Sequence, residues 1–114
     1  MDLIYKGIPL EELRIESVEW TEDRAEHIRS RSIRKGTAEL DVEPEWATEA
    51  ALDPGRIVGL TTSESIKVIG YSGAIDRILK IWLFPKDLEA GDWWGASACE
   101  ANGTDRRNYK EADE

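Results

Sequence analysis

The sequence predicts a single α+β domain built from a small antiparallel sheet of about four strands, with two N-terminal helices and a short C-terminal helix. Two observations support this prediction. Before Gly55, apolar residues recur at helical spacing, whereas after it they alternate at the spacing of strands. Helices followed by a run of strands are typical of an α+β domain, and 114 residues suffice for one core without disulfides.

The N-terminal half begins with an interrupted segment. Residues 1–14 are interpreted as an N-terminal arm, because Gly7 and Pro9 interrupt any regular element there. The alternating segment that follows predicts a short strand. A helix should then begin after Thr21, whose side chain suits an N-cap, and run to the cations that precede Gly36.

The second helix should begin at Pro44, since proline is favoured at the first helical position, and stop at Asp53 to Gly55. Alternating apolar residues separated by turn residues predict four later strands, at 56–60, 65–71, 75–84 and the tryptophan pair 93–94. Pro85 is expected to end the third of these strands. That strand is apolar on both faces toward its end, which predicts a central strand covered on both sides.

The charge of the chain is unevenly distributed. Its net value of −9 opposes binding to a phosphate backbone, because such binding draws on Lys and Arg. Two basic islands nevertheless occur, the first formed by Arg24, Arg29, Arg31, Arg34 and Lys35, the second by Arg106, Arg107 and Lys110. Brought together by the fold, they would make a positive site on an acidic body; kept apart, they are solvated faces of mixed charge.

Composition indicates a cytoplasmic protein without a membrane segment. Cys99 is the only cysteine, so no internal disulfide can form, and it is interpreted as a packed residue rather than a nucleophile. No apolar run approaches the roughly eighteen residues of a membrane span. The N-terminus lacks the basic and apolar regions of a secretory signal.

The segment 92–109 is the part of the chain most suggestive of chemistry. Its opening tryptophans predict a strand, and a short helix capped by Asn102 or Thr104 would place Arg106 and Tyr109 on one side. This cation and phenol can bind and polarise a phosphate, but they can equally latch a surface helix onto the sheet. The chain is thus divided into an arm, a single domain and an acidic tail: 1–14, 15–110 and 111–114.

Four short strings resemble one group of bacterial proteins. They are Val-Glu-Trp at 18–20, Glu-Ser-Ile-Lys-Val-Ile-Gly at 64–70, Ser-Ala-Cys-Glu-Ala at 97–101 and Asp-Arg-Arg-Asn-Tyr at 105–109. Together they resemble the BrnT-like branch of the RelE/ParE superfamily, the small ribonuclease toxins of type II toxin-antitoxin modules. The chain departs from the family pattern where Ser65 and Cys99 stand in place of arginines.

This resemblance implies a RelE-like fold and a toxin that cleaves mRNA without a metal or cofactor and is neutralised by a cognate antitoxin protein. The predicted catalytic residues are His27, Lys67, Arg106 and Tyr109. The predicted RNA-binding residues are Arg31, Arg77, Trp94 and Arg107. The alternative is a catalytically inactive, toxin-like interaction module that recruits a basic protein partner through its acidic segments.

Overall fold

The computed structural model describes residues 3–36 and 38–112 of the chain. Their helices and strands are β1 (Ile4–Tyr5), β2 (Ile8–Pro9), β3 (Ser17–Glu19), α1 (Glu22–Arg29), α2 (Arg31–Lys35), α3 (Pro44–Ala51), β4 (Ile57–Leu60), β5 (Ile66–Ser72), β6 (Arg77–Asp87), β7 (Asp92–Glu100) and α4 (Gly103–Ala112), with a 3₁₀ turn at Leu10–Glu12. One sheet has the order β3-β7-β6-β5-β4, and β1 and β2 form a separate hairpin. Strand β3 runs parallel to β7, and the other neighbouring strands are antiparallel.

The α+β class is therefore right, but the predicted RelE-like arrangement of two N-terminal helices and an antiparallel sheet of about four strands is wrong. The main sheet is mixed and has five strands, and the helices follow the first three strands of the chain. The hairpin was missed because Lys6 and Gly7 form its turn, with the positive φ angles of 48° and 83° that such turns require. The parallel pairing of β3 with β7 joins the two ends of the domain, and no local pattern encodes it.

The first helical region begins and ends at its predicted caps, but it is not one continuous helix. The Thr21 side chain accepts a hydrogen bond from the Arg24 backbone N–H, and Gly36 ends the region in the left-handed conformation, with φ of 64°. Between them Ser30 separates α1 from α2. Its hydroxyl donates to the Glu26 carbonyl oxygen at 2.7 Å, a contact that competes with the helical backbone pattern.

The main core lies between one face of the five-stranded sheet and helices α1 and α3. Buried apolar side chains of these elements form one cluster with the arm, among them Ile28, Ala47, Ala50, Val68, Leu79, Ile81, Leu83 and Trp93. Helix α3 approaches β5 closely, because Gly70 has no side chain: a Cβ built there would lie 1.8 Å from the Ala50 carbonyl oxygen. A glycine at this position therefore sets the distance between helix and sheet.

The N-terminal segment packs on the domain rather than extending from it. Tyr5, Leu10 and Leu13 belong to the main core cluster. The Tyr5 hydroxyl donates to the Glu64 carbonyl oxygen, and the Arg14 carbonyl oxygen accepts from the Trp93 indole at 2.8 Å. At the other end α4 extends through the predicted tail to Ala112, while residues 113–114 of that tail, like residues 1–2 of the arm, lie outside the described residues.

The second face of the sheet is covered only at one end. Helix α4 packs there against Ile69, Ile78 and Ala101, which form a smaller core with Tyr109. Strand β6 continues through Pro85 to Asp87, with a register irregularity beside the proline, so the prediction that Pro85 ends it is wrong. The predicted cover on both sides is also wrong toward that end of the strand, because Phe84 is 39% exposed there. None of the described helices is long and apolar enough to cross a membrane.

Candidate nucleic-acid interface

The uncovered part of the second sheet face, here called the open face, lies beyond α4. Strand register places Lys67 opposite Trp82, and Trp82 opposite Ser97, so these side chains form one row across β5, β6 and β7. Phe84 is paired with Trp94 in a neighbouring row, and Trp94 is 36% exposed. The open face thus combines a cation, a hydroxyl and aromatic rings on a rigid sheet.

A stripe of basic side chains borders this face along the free edge of β7. Arg24, His27 and Arg31 follow one another at helical spacing across α1 and α2, and α1 packs against β7. The Arg24 guanidinium donates to the Ala96 carbonyl oxygen at 3.5 Å, directly beside Ser97. Arg24 therefore extends the row of Lys67, Trp82 and Ser97 beyond the sheet, and the stripe runs from it along β7 to Arg31, which lies beside Cys99 and Ala101.

The pKa of His27 is lowered from its ordinary value of 6.5. Burial of the imidazole disfavours the charged form, and the positive charges of Arg34, Arg24 and Arg31 disfavour it further. The neutral imidazole, which can accept a proton, therefore predominates at pH 7.

Several cations near the open face are already neutralised within the protein. Lys80 lies 2.9 Å from Asp105 of α4, Lys86 lies 2.8 Å from Glu19, and Arg31 lies 3.3 Å from Glu39. The Lys80 and Lys86 ammonium groups also approach the rings of Trp82 and Trp94, at 5.4 and 4.7 Å from the centroids.

Lys67 and Arg24 differ from these neutralised cations. Within the part of the chain that the structure describes, neither has an acidic side chain within 4 Å. The charges of both are therefore available to an outside anion.

The predicted pair of Arg106 and Tyr109 lies at the other end of the second face. Arg106 donates to the Ala101 carbonyl oxygen at 2.6 Å, and the Tyr109 hydroxyl donates to Asp53. Burial raises the pKa of Asp53, but hydrogen bonds from Tyr109 and two backbone N–H groups outweigh it and keep that pKa below its ordinary value. The pair thus anchors α4 to the sheet.

The eight predicted site residues do not form one cluster. His27, Lys67 and Trp94 lie on or beside the open face, whereas Arg106, Tyr109 and Arg77 line a cleft of about 440 Å³ beside α4. Arg31 lies between these two places, in a pocket with Cys99, Glu100 and Ala101. Arg107 is exposed on α4. From Ile78, which packs under α4, to Trp82 the backbone of β6 advances about 13 Å. Lys67 and Arg106 therefore stand at different ends of the second face, whereas the first basic island reaches toward the second through Arg31, which lines a pocket with Ala101, the residue whose carbonyl oxygen accepts from Arg106.

Trp82 and Ser97 were not predicted as site residues, and Arg24 was predicted only as a member of the first basic island. Arg24 was recognisable from its helical spacing to His27, which places both on one side of α1. Trp82 and Ser97 carried no such signal, because their alignment with Lys67 depends on strand register.

Cys99 is buried beside the open face, between Lys80 and the α2 region. Burial raises the pKa of its thiol, while the charges of Arg31 and Lys80 act in the opposite direction. Such a thiol is largely protonated at neutral pH and packs as a small apolar residue. Within residues 3–36 and 38–112, no group of three or more His, Cys, Asp or Glu side chains is arranged to hold a metal ion.

Comparisons with known proteins give no relative from which a function can be transferred. No family model matches the chain, and no curated protein and no solved structure matches it either. The assignment to the BrnT-like toxins, which rests on short strings, therefore stays a prediction from the sequence.

Proposed function

We propose that the protein is a ribonuclease toxin of a type II toxin-antitoxin module that binds single-stranded RNA on the open face. One observation supports this above the others: Lys67 and Arg24, which have no acidic side chain within 4 Å among the described residues, stand at opposite ends of a row that contains an aromatic ring. Proteins that bind single-stranded RNA combine backbone-tracking cations with aromatic stacking surfaces in this way.

The geometry suits cleavage by the RNA's own 2′-hydroxyl. Attack of that oxygen on the adjacent phosphorus forms a 2′,3′-cyclic phosphate and breaks the bond to the 5′-oxygen, which takes a proton from solvent. Arg24, one helical turn from His27, offsets the charge that grows on the oxygens of this phosphate, and Lys67 holds another phosphate of the strand at the far end of the row. His27, whose lowered pKa keeps it neutral, accepts the proton of the 2′-hydroxyl.

The proposed setting is the cytoplasm, where a cognate antitoxin would neutralise the toxin. An antitoxin that covers the open face must supply acidic groups for Lys67 and Arg24 and an apolar contact for the exposed aromatic rings. Its release would expose these groups to RNA.

A catalytically inactive, toxin-like interaction module is the second candidate. It is favoured by the engagement of Arg106 and Tyr109 in anchoring α4, and by the ion pairs that already occupy Arg31 and Lys80. In that case the net charge of −9 recruits a basic protein partner, and association slows as salt increases.

RNA binding is tested with a fluorescein-labelled single strand of about twenty nucleotides and no internal structure, titrated with protein at several salt concentrations. The double variant Lys67→Ala/Arg24→Ala should bind more weakly, and the slope of log K against log salt should fall by about 1.4, since two phosphate contacts are lost. The matched control Lys35→Ala/Arg107→Ala removes the same charge elsewhere. An equal loss in both double variants would show that only net charge matters and would contradict the proposal.

Cleavage is tested on the same RNA and on a long mRNA, with and without EDTA. The wild-type protein should yield fragments ending in 2′,3′-cyclic phosphate, and His27→Gln should lower the rate at least about tenfold, as expected for loss of a general base. Induced expression should slow growth for the wild type but not for Lys67→Ala/Arg24→Ala. RNA that binds at the open face yet stays intact under all conditions would favour the inactive module.

A further inference from the structure

The sheet has two edges, and they differ in how they are protected. At one edge β3 is short, and it has Glu19 and the preceding Glu16 as exposed charged residues. At the other edge β4 reads Ile-Val-Gly-Leu, without a charge or a proline. Natural proteins commonly protect sheet edges with charges, prolines or bulges, so an unprotected edge strand is typical of a surface that pairs with another chain.

Strand β4 has unused backbone groups along this edge. Within the described residues its backbone hydrogen bonds are those of its antiparallel ladder with β5, and its outer side makes none. Four residues of strand extend about 13 Å, which is room for a short extended segment of another chain.

A groove of about 600 Å³ runs beside this edge, between β4 and the N-terminal segment. Its apolar lining consists of Leu3, Leu10, Leu13, Pro54, Ile57 and Val58. Because successive side chains of a strand point to opposite faces, every second side chain of a segment added to β4 would enter this groove. The groove therefore selects an extended segment with an apolar residue at alternate positions.

The charges at the groove select a basic segment. Glu11 lines the groove and Glu12 follows it, both are exposed, and neither forms an ion pair among the described residues. Arg56, the cation of the lining, donates to the Asp53 carbonyl oxygen at 3.2 Å, and its charge acts on the Asp53 carboxylate, whose pKa it helps to lower. A second copy of this chain is a poor occupant, because symmetric pairing of β4 would bring the same acids together in molecules of charge −9 each.

We infer that β4 and its groove form a docking site for an extended segment of a partner protein, with alternating apolar and basic residues, which adds to the sheet as a sixth strand. Backbone hydrogen bonds to β4 supply affinity, the leucine-lined groove selects the apolar side chains, and Glu11 and Glu12 select the basic ones. The site lies at the β4 edge, and its test is separate from that of RNA binding.

The experiment uses a fluorescein-labelled octapeptide of alternating Val and Lys, with blocked termini, and fluorescence anisotropy at 0.15 M salt. The full chain should bind this peptide and bind a Val and Glu octapeptide at least about tenfold more weakly. A Val and Lys peptide with N-methylated backbone amides should also lose at least tenfold in affinity, since it cannot donate to β4. Equal binding of the methylated peptide would overturn strand addition.

Variants of the protein test the groove and its charges separately. Leu3→Asn should weaken peptide binding, whereas Ile33→Asn, at a position 81% exposed on α2, should not. Glu11→Lys/Glu12→Lys should weaken it about tenfold. The matched control Glu45→Lys/Glu89→Lys should have less than about a threefold effect, because distant charges are screened at this salt. Equal effects of the two lysine pairs would overturn the local charge argument, and a dimer in sedimentation that Leu3→Asn abolishes would assign the groove to a second copy.

Discussion

The closest contact between helix and sheet gives the sharpest prediction of stability. In Gly70→Ala the new methyl carbon would lie 1.8 Å from the Ala50 carbonyl oxygen and 2.7 Å from the carbonyl carbon. Carbon and oxygen atoms in ordinary contact are more than 3 Å apart, so α3 and β5 must separate by more than about 1 Å. Both Ala50 atoms that the methyl group would meet belong to the backbone, and Ala50 is fully buried, so the contact cannot be relieved by moving a side chain.

We expect Gly70→Ala to lower the free energy of unfolding by at least about 3 kcal/mol, the upper part of the range for overpacked cores. Tryptophan fluorescence during urea unfolding measures this, and such a loss moves the midpoint down by about 1–3 M. The matched control is Gly59→Ala in the neighbouring strand, where the added carbon meets only Lys67 Cε at 3.7 Å. That variant should change the unfolding free energy by less than about 1 kcal/mol. Similar midpoints for the two variants would refute the argument that Gly70 sets the spacing.

Two further predictions concern single side chains. Tyr109→Phe removes the hydrogen bond to Asp53 and should cost about 1.5 kcal/mol at pH 7, whereas Tyr71→Phe, which removes an exposed hydrogen bond to Asp76, should cost less than about 0.5 kcal/mol in the same urea unfolding assay. Because the pKa of Asp53 is lowered on folding, the contribution of its carboxylate to stability is complete above about pH 4 and is lost as the pH falls through the folded pKa. The unfolding free energies of the wild type and Tyr109→Phe should therefore become equal in acid. A difference between them that stays constant down to pH 2 would contradict this. The pKa of His27 is also lowered on folding, so the unfolded chain takes up a proton first as the pH falls below about 6.5. His27→Gln should therefore lose less stability than the wild type between pH 7 and pH 5. Equal losses of stability in the two proteins would mean that the imidazole is not held neutral.

Much of the local structure was predictable, because caps and periodicity are short-range effects. Thr21 caps the start of α1, and Pro44 is the first residue of α3. Gly36 ends α2, and the Asn102 side chain accepts from the Asp105 N–H at the start of α4. All four agree with what their residue types predict. The break at Ser30 was not predicted, since it depends on which of two hydrogen bonds the serine makes.

The candidate site was predicted only in part, because its composition depends on register and strand order. Lys67 and His27 were recognised by residue type, and the short spacing to Arg24 was also present in the sequence. Trp82 belongs to the site through its alignment with Lys67 across β5 and β6. Arg106 was assigned to the same site, but it belongs to the opposite end of the sheet because α4 turns back over Ala101.

The sequence by itself determined the class of the domain, the type of most elements and the uneven charge of an acidic chain. Only the tertiary structure decided that β3 joins β7 in parallel, that α4 covers one end of the second face, and that the other end stays open with Lys67 and Arg24 beside it. The physical reason is range: a cap or an alternating pattern acts over a few residues, whereas strand order and cover result from packing between segments far apart in the chain.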